Sequence, residues 1–347
     1  KKIRHGFKAP RSGIMEVSMK NKRTIGSAVK NSKYFELSGL LCLILIYSIF
    51  VQAKSGTFLT IPNINNILKE IVVYGILSCA LAFPLINGTF DLSIESTCAL
   101  GGTVCALLVT DGFLGIKTNL FLAIIIATVF CSLIGVINGV IVARTKIDPF
   151  IVTLGSQTAV RGLVYIVCNN SAVTSLPASF KSLSAGKILG VSVSIWILLL
   201  VFVVLAVVLG KTAYGRKIYA IGGNYQAAYI SGINVKAIRF STYVISAALS
   251  CIAGILSTAR VGSATPNAAT GYTTIAISAC AIGGVSLGGG KGLAIGVFLG
   301  SLMMGMITNG MNLMFIGSNW QLVVRGCLMV AAVFYAQWFH KVSSREK

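Results

Sequence analysis

Long apolar runs alternate with short polar breaks along this chain, and that alternation sets its architecture. Apolar windows of roughly 18 residues or more, repeated many times, are the mark of multiple membrane-crossing helices. Such windows fall near residues 36–53, 67–86, 93–110, 119–142, 149–168, 189–209, 240–259, 272–285, 292–310 and 320–339, the eighth being short. They predict an all-α integral membrane protein of about ten transmembrane helices. The expected organisation is a polar N-terminal tail over 1–34, one transmembrane domain over 35–340 and a short C-terminal tail over 341–347.

Three segments depart from plain apolar helix. Residues 87–95 follow a run containing Pro84 and place Asp91 among Asn87, Gly88 and Ser93. Irregular backbone at membrane depth is tolerated only where protein or a water-filled cavity satisfies it, so a broken or re-entrant segment is expected there. Residues 283–292 are glycine-rich and read as a tight hairpin between two spans. Residues 210–239 form the only long polar stretch in the interior. There Ala227 and Ala228 favour a short surface helix and Gly232 a stop.

Composition narrows the function. The 347 residues are 55% hydrophobic and 11% charged, against about 25% charged in soluble domains. A net charge of +21 would suggest nucleic acid in a soluble protein, but no aromatic-interleaved basic face appears. The charge instead follows the positive-inside rule. With the N-terminus inside, Arg144, Lys146, Lys211, Arg216, Lys217, Lys236, Arg239, Lys291, Lys341, Arg345 and Lys347 all fall on the cytoplasmic side. Lys54, Lys117, Lys181, Lys187 and Arg260 are spread thinly outside, so both termini are expected in the cytoplasm. The nine cysteines lie in or beside apolar runs with no metal-ligand spacing, and read as small buried apolar residues. The Lys-rich tail has no cleavable signal pattern.

Candidate chemistry is sparse. A phosphate loop needs Gly six residues before its Lys and Ser or Thr after it. Val285 and Gly292 stand at those places around Lys291, so no ATP site is expected on this chain. His5 and His340 lie in or near the tails, and no catalytic constellation or metal site can be assembled. Asp91 and Glu95 are the carboxylates expected near the middle of the fold, on one face if that stretch is helical, with Arg161 as counter-charge. Asn138, Thr153, Gln157, Ser278, Asn309 and Asn312 are further polar residues within spans. With Asn87, Ser93 and Tyr272, these are the candidates for lining a solute path or for gluing helices together. The glycines around Gly296, Gly300 and Gly305 are compatible with self-association.

Several segments together resemble a known family. They are Phe90-Asp91-Leu92-Ser93-Ile94, residues 149–155, Arg161-Gly162-Leu163, residues 215–224, Ala227-Ala228, residues 231–235, residues 282–287 with Gly289-Gly290, and Asn309-Gly310-Met311. In that order the chain is similar to the permease subunit of bacterial monosaccharide ABC importers, the ribose/xylose/galactoside branch of the branched-chain-type permeases. Two positions depart from the family pattern. Glu95-Ser96 stands where the family usually has Gly-Ser, and Thr273-Thr274 where it usually has Glu-Leu.

The resemblance implies a multi-pass homodimer in the bacterial cytoplasmic membrane, with a monosaccharide path at or near the dimer axis. It implies a cytosolic sugar ABC ATPase carrying ATP-Mg and an extracytoplasmic sugar-binding protein as partners. It would make Gln226 to Gly232 the coupling helix, with Arg216, Asn224, Gln226, Ala227, Ala228, Ser231 and Gly232 facing or supporting the ATPase contact. From the residues alone, a proton- or ion-coupled secondary sugar transporter using Asp91 and Glu95 stays open.

Overall fold

The computed structural model describes residues 33–345, with side chains from 37 to 334; the expected tail up to residue 32, with His5, lies outside the described residues, as do the last two residues. The first half runs through α1 (Lys33–Ser55), α2 (Ile61–Ile86), α3 (Ile94–Val109), α4 (Leu120–Arg144) and α5 (Pro149–Val167). A short α6 (Ala178–Ala185) and a hairpin of β1 (Lys187–Ile188) and β2 (Val191–Ser192) lead into α7 (Val193–Lys211). Next come α8 (Ala213–Gly223), α9 (Tyr225–Ile230), α10 (Val235–Val261), α11 (Tyr272–Ile282), α12 (Ala294–Leu313) and α13 (Ser318–Arg345). Among the described residues, seven helices are long and apolar enough to cross a membrane, and α3, α11 and the first part of α13 are shorter apolar helices. The window expected over 189–209 begins later, at Val193, because residues 187–192 pair as the hairpin. Helix α13 runs on through Arg345, into the stretch expected as the C-terminal tail.

Local chemistry sets the helix boundaries. Asn119 accepts the Leu122 N–H at the start of α4, and Asp148 the Phe150 N–H at the start of α5, where Pro149 takes the first position. Helix α10 ends on Gly262 in the left-handed conformation.

Helices α2, α3, α10, α11 and α12 form the centre. Every residue of α3 from Ile94 to Leu108 is buried. Helices α1, α4, α5 and α7 form the rim and expose apolar side chains such as Ile49, Phe121, Ile151 and Leu200, as a lipid-facing surface requires.

The packing repeats itself. Helix α2 packs on α11 and α12 as α10 packs on α3 and α4. Helix α3 packs on α4 and α5 as α11 packs on α12 and α13, and α2 and α10 pack on each other. Each half is thus a long helix, a break, a short buried helix and two flanking helices. Short sequence echoes sit at matching places: Leu77-Ser78-Cys79 with Leu249-Ser250-Cys251, Asn138-Gly139 with Asn309-Gly310, and Gln157-x-x-x-Arg161-Gly162 with Gln321-x-x-x-Arg325-Gly326. The two breaks lie at opposite ends of α7. The first, 87–93, meets the segment after α7, since Gly88 lies against the backbone of Gly222 in α8. The second, 262–271, pairs at Ala264 with Val173, in the segment before α7. This is the arrangement of an inverted-topology repeat.

Two expectations are corrected by this packing. Gly296 and Gly300 of α12 lie against the backbone of α11, at Gly283 and Ala279, and Gly305 lies against Ile71 of α2. These glycines hold one protomer together, because their faces are already filled. Of the cysteines, Cys42 and Cys327 are exposed on rim helices and the other seven are buried.

Helix α10 approaches α3 so closely that a Cβ on Gly254 would overlap the Cys98 carbonyl oxygen, whereas Gly155 on α5 has nothing nearby. Gly254→Ala should cost about 1–3 kcal/mol through overpacking, and Gly155→Ala should be neutral or stabilising by about 0.5–1 kcal/mol. Thermal melts of the detergent-solubilised variants check this: only Gly254→Ala should melt early.

Candidate functional site

The first break is held by Asp91, which is 1% exposed. Its Oδ1 accepts the Ser93 N–H (3.1 Å) and hydroxyl (2.6 Å), and its Oδ2 the Ser246 hydroxyl of α10 (2.7 Å). Asn138 of α4 donates to the Ser93 Oγ (3.1 Å), and Tyr243 of α10 to the Phe90 carbonyl (2.9 Å). A carboxylate just ahead of α3 also meets the positive end of that helix. Every oxygen of Asp91 is therefore engaged in fixing the chain where it leaves helical geometry.

Glu95 joins a second cluster. Its Oε1 accepts from Gln157 Nε2 of α5 (2.8 Å) and lies 3.8 Å from the Arg161 guanidinium. Its Oε2 accepts the backbone N–H groups of Gly271 (3.1 Å) and Thr273 (3.3 Å), at the start of α11. Arg161 donates to the carbonyls of Pro266 and Ala268 in the second break, both at 2.8 Å. Tyr165 bonds Asn267 in the same break. One carboxylate thus sits at the N-termini of two helices, α3 and α11, and ties α5 to the second break. The two departures from the family pattern meet here: a carboxylate from position 95 reaches the backbone of position 273.

Asp91 and Glu95 do not share a helical face, because the stretch between them is not helical throughout. Helix α3 begins only at Ile94, so Asp91 lies in the break and turns toward α4 and α10, while Glu95 turns toward α5 and α11. The other polar candidates make separate contacts. Asn309 exchanges two amide hydrogen bonds with Asn63 (2.9 and 3.0 Å), joining α12 to α2. Thr153 and Ser278 bond carbonyls of their own helices, and Asn312 accepts from Gln321 (2.8 Å). Asn87 is fully buried, and neither atom of its amide has a partner among the described residues.

A third carboxylate, Glu70 of α2, escaped the sequence reading. Arg260 at the end of α10 lies 3.5 Å from it, and the Tyr74 hydroxyl donates to it (3.4 Å). Tyr74 stacks edge-on against Tyr272, with ring centroids 5.0 Å apart. The available signal was the rule that an ionisable residue inside a spanning helix marks function or a partner. Among the described residues no group of His, Cys, Asp and Glu has the geometry of a metal site.

The interior polar segment folds as two short helices. Thr212 accepts the Gly215 N–H and Asn224 the Ala227 N–H, both at 3.0 Å, starting α8 and α9. Past α9, Gly232 takes φ +79°, where a side chain would be strained. Arg216, Asn224, Gln226, Ala227, Ser231 and Gly232 are exposed. Ala228 is not on that surface: it is 4% exposed and packed against Ile221 and Val235. The apolar surface offered outward belongs to Tyr229 and Ile230, 62% and 82% exposed. At its inner side α8 grips the core. The Tyr219 hydroxyl, which burial holds protonated above its ordinary range, donates to the Gly292 carbonyl (2.7 Å). A Cβ on Gly222 would overlap the Ile86 carbonyl oxygen. The glycine-rich turn 283–292 is thus the bearing on which α8 meets the end of α2.

Comparison with known proteins places this architecture. The family model described as branched-chain amino acid transport system / permease component matches residues 63–333. The ribose import permease protein RbsC of Escherichia coli K12 is 36% identical over 315 residues, covering 88% of this chain and 96% of its own. The Bacillus subtilis ribose import permease is 36% identical over 297 residues, covering 85% of this chain and 89% of its own. The L-arabinose transport system permease AraH of Escherichia coli K12 is 33% identical over 328 residues, covering 93% and 98%. No solved structure matches the chain. With its spanning helices and a family match over most of its length, the chain belongs to the branched-chain transport-system permease family.

Proposed function

We propose that this chain is the membrane-spanning permease subunit of an ABC importer that carries a monosaccharide, a pentose or hexose, inward across the bacterial cytoplasmic membrane. ATP hydrolysis would take place on a separate sugar ABC ATPase holding ATP-Mg, and an extracytoplasmic sugar-binding protein would deliver the solute. The membrane domain would work as a homodimer with both termini in the cytoplasm. The observation that carries this proposal is the α8–α9 segment. Its exposed Tyr229 and Ile230 offer a partner an apolar contact, while Tyr219 and Gly222 bind its inner side to both the end of α2 and the turn before α12. Likeness to ribose and arabinose permeases over most of the chain supports a sugar as cargo. A rigid segment that touches a partner outside and the core inside can couple two discrete states of the spans.

The alternative, a proton- or ion-coupled carrier using Asp91 and Glu95, is disfavoured by the full occupancy of both carboxylates. Glu95→Ala would leave Arg161 without its carboxylate and α11 without its cap, and should destabilise by about 3–5 kcal/mol. Glu95→Gln keeps part of the hydrogen bonding and should lose less. Melting curves and uptake measured together separate the two ideas. A relay requires Glu95→Gln to abolish uptake while leaving the melting curve unchanged.

Tagged wild-type protein drawn from its host in mild detergent should bring down an ATP-hydrolysing subunit. Ile230→Asp should lose that subunit and reduce sugar uptake at least tenfold, about the effect of removing 1.4 kcal/mol of docking energy, with the melting temperature unchanged. Co-purification undiminished by Ile230→Asp would remove α9 as the docking element.

A further inference from the structure

We infer that Gln321 and Arg325 of α13 form a second polar site, the inverted-repeat counterpart of Gln157 and Arg161, and that Arg325 holds hydroxyl groups of the sugar during its passage. This rests on the transport role proposed above. The two pairs have the same spacing and the same following glycine, on helices that pack equivalently against α3 and α11. Their surroundings differ in one respect that decides their roles.

Arg161 is anchored through one amino group, which donates to both carbonyls of the second break, while its other, without a hydrogen bond of its own, faces the Glu95 carboxylate at 3.8 Å. Glu95 is the second residue of α3; the second residue of α11 is Thr273. The half that contains Arg325 therefore lacks the matching acid. Arg325 makes one long contact to the Gln321 Oε1 (3.4 Å), and among the described residues no carboxylate lies within salt-bridge distance. Its Nε is buried without a partner. Gln321 is held in place, its amide donating to Asn312 Oδ1 (2.8 Å) and the Ile316 carbonyl (2.9 Å). One arginine of the pair is built into the scaffold, and the other makes a single hydrogen bond among the described residues.

An under-paired guanidinium within an apolar helix is costly unless something completes it at another stage of the cycle. The neighbouring groups suit a sugar. Val324 and Leu328, which flank Arg325, pack against the cluster that holds the buried Tyr74 and the half-buried Tyr272, so Tyr272 is the aromatic surface at hand. Aromatic faces take the C–H surface of a sugar ring, and the planar guanidinium can donate to two adjacent hydroxyls. A neutral polyol also suits transit, because a solute in passage must be held weakly enough to leave.

The test uses the assembled transporter in proteoliposomes at saturating binding protein, with radiolabelled ribose and arabinose as probes, reading sugar moved per ATP hydrolysed. Arg325→Gln should lower that ratio about tenfold or more, the scale of losing one charge-assisted hydrogen bond, without lowering the melting temperature. Arg325→Lys should fall between, since it keeps the charge and loses the fork. Arg161→Gln, by contrast, should lower the melting temperature. An unchanged ratio in Arg325→Gln would overturn the assignment, as would a ratio that falls together with the melting temperature. If the wild-type complex moves neither sugar, the transport role and this assignment fall together; if it moves one and Arg325→Gln moves it equally well, only the assignment falls.

Discussion

Two helices of this protein begin in its packed interior, and the peptide N–H groups at their starts must be met there. An apolar interior offers them nothing, and each unmet group costs several kcal/mol. The chain answers with carboxylates. Asp91 turns back onto Ser93 ahead of α3, and Glu95 reaches across to the first N–H groups of α11. Because Glu95 also faces Gln157 and Arg161, satisfying α11 simultaneously locates α5 and the second break. Most of the polar interior follows from this requirement. Removing one such group leaves a buried partner stranded, which is why these clusters are strongly coupled.

The same requirement is met twice with different chemistry. The two halves repeat one packing scheme, yet the first has a carboxylate at the second residue of its short helix and the second has threonine. The asymmetry divides labour between two otherwise equivalent arginines.

In the proposed importer, motion would reach these clusters from the α8–α9 segment. At Gly222 the backbone of α8 meets the Ile86 carbonyl with no side chain between them, and the bond from Tyr219 to Gly292 fixes the same face. Backbone pressed on backbone transmits displacement, since close-packed interiors yield little. Asn87, buried with both amide atoms unmatched, sits beside this contact.

Hydropathy windows and charge bias made the membrane class and most helices legible in the sequence, because both depend on local composition and on nothing distant. The short α9 with its glycine stop was legible for the same reason. What the sequence could not show was partnership. Glycines at 296, 300 and 305 read equally well as an intersubunit or an intrasubunit face until α11 was seen against them. Ala228 read as surface until Ile221 and Val235 covered it. The repeat of Gln-x-x-x-Arg-Gly, weak as a string, acquires meaning only when α5 and α13 take equivalent places. Asp91 and Glu95 looked alike four residues apart; the start of α3 between them sent one to α10 and the other to α11. Local composition determined where helices lie, and only the tertiary structure decided which polar group answers which, because a hydrogen bond is specified by distance in space and not by separation along the chain.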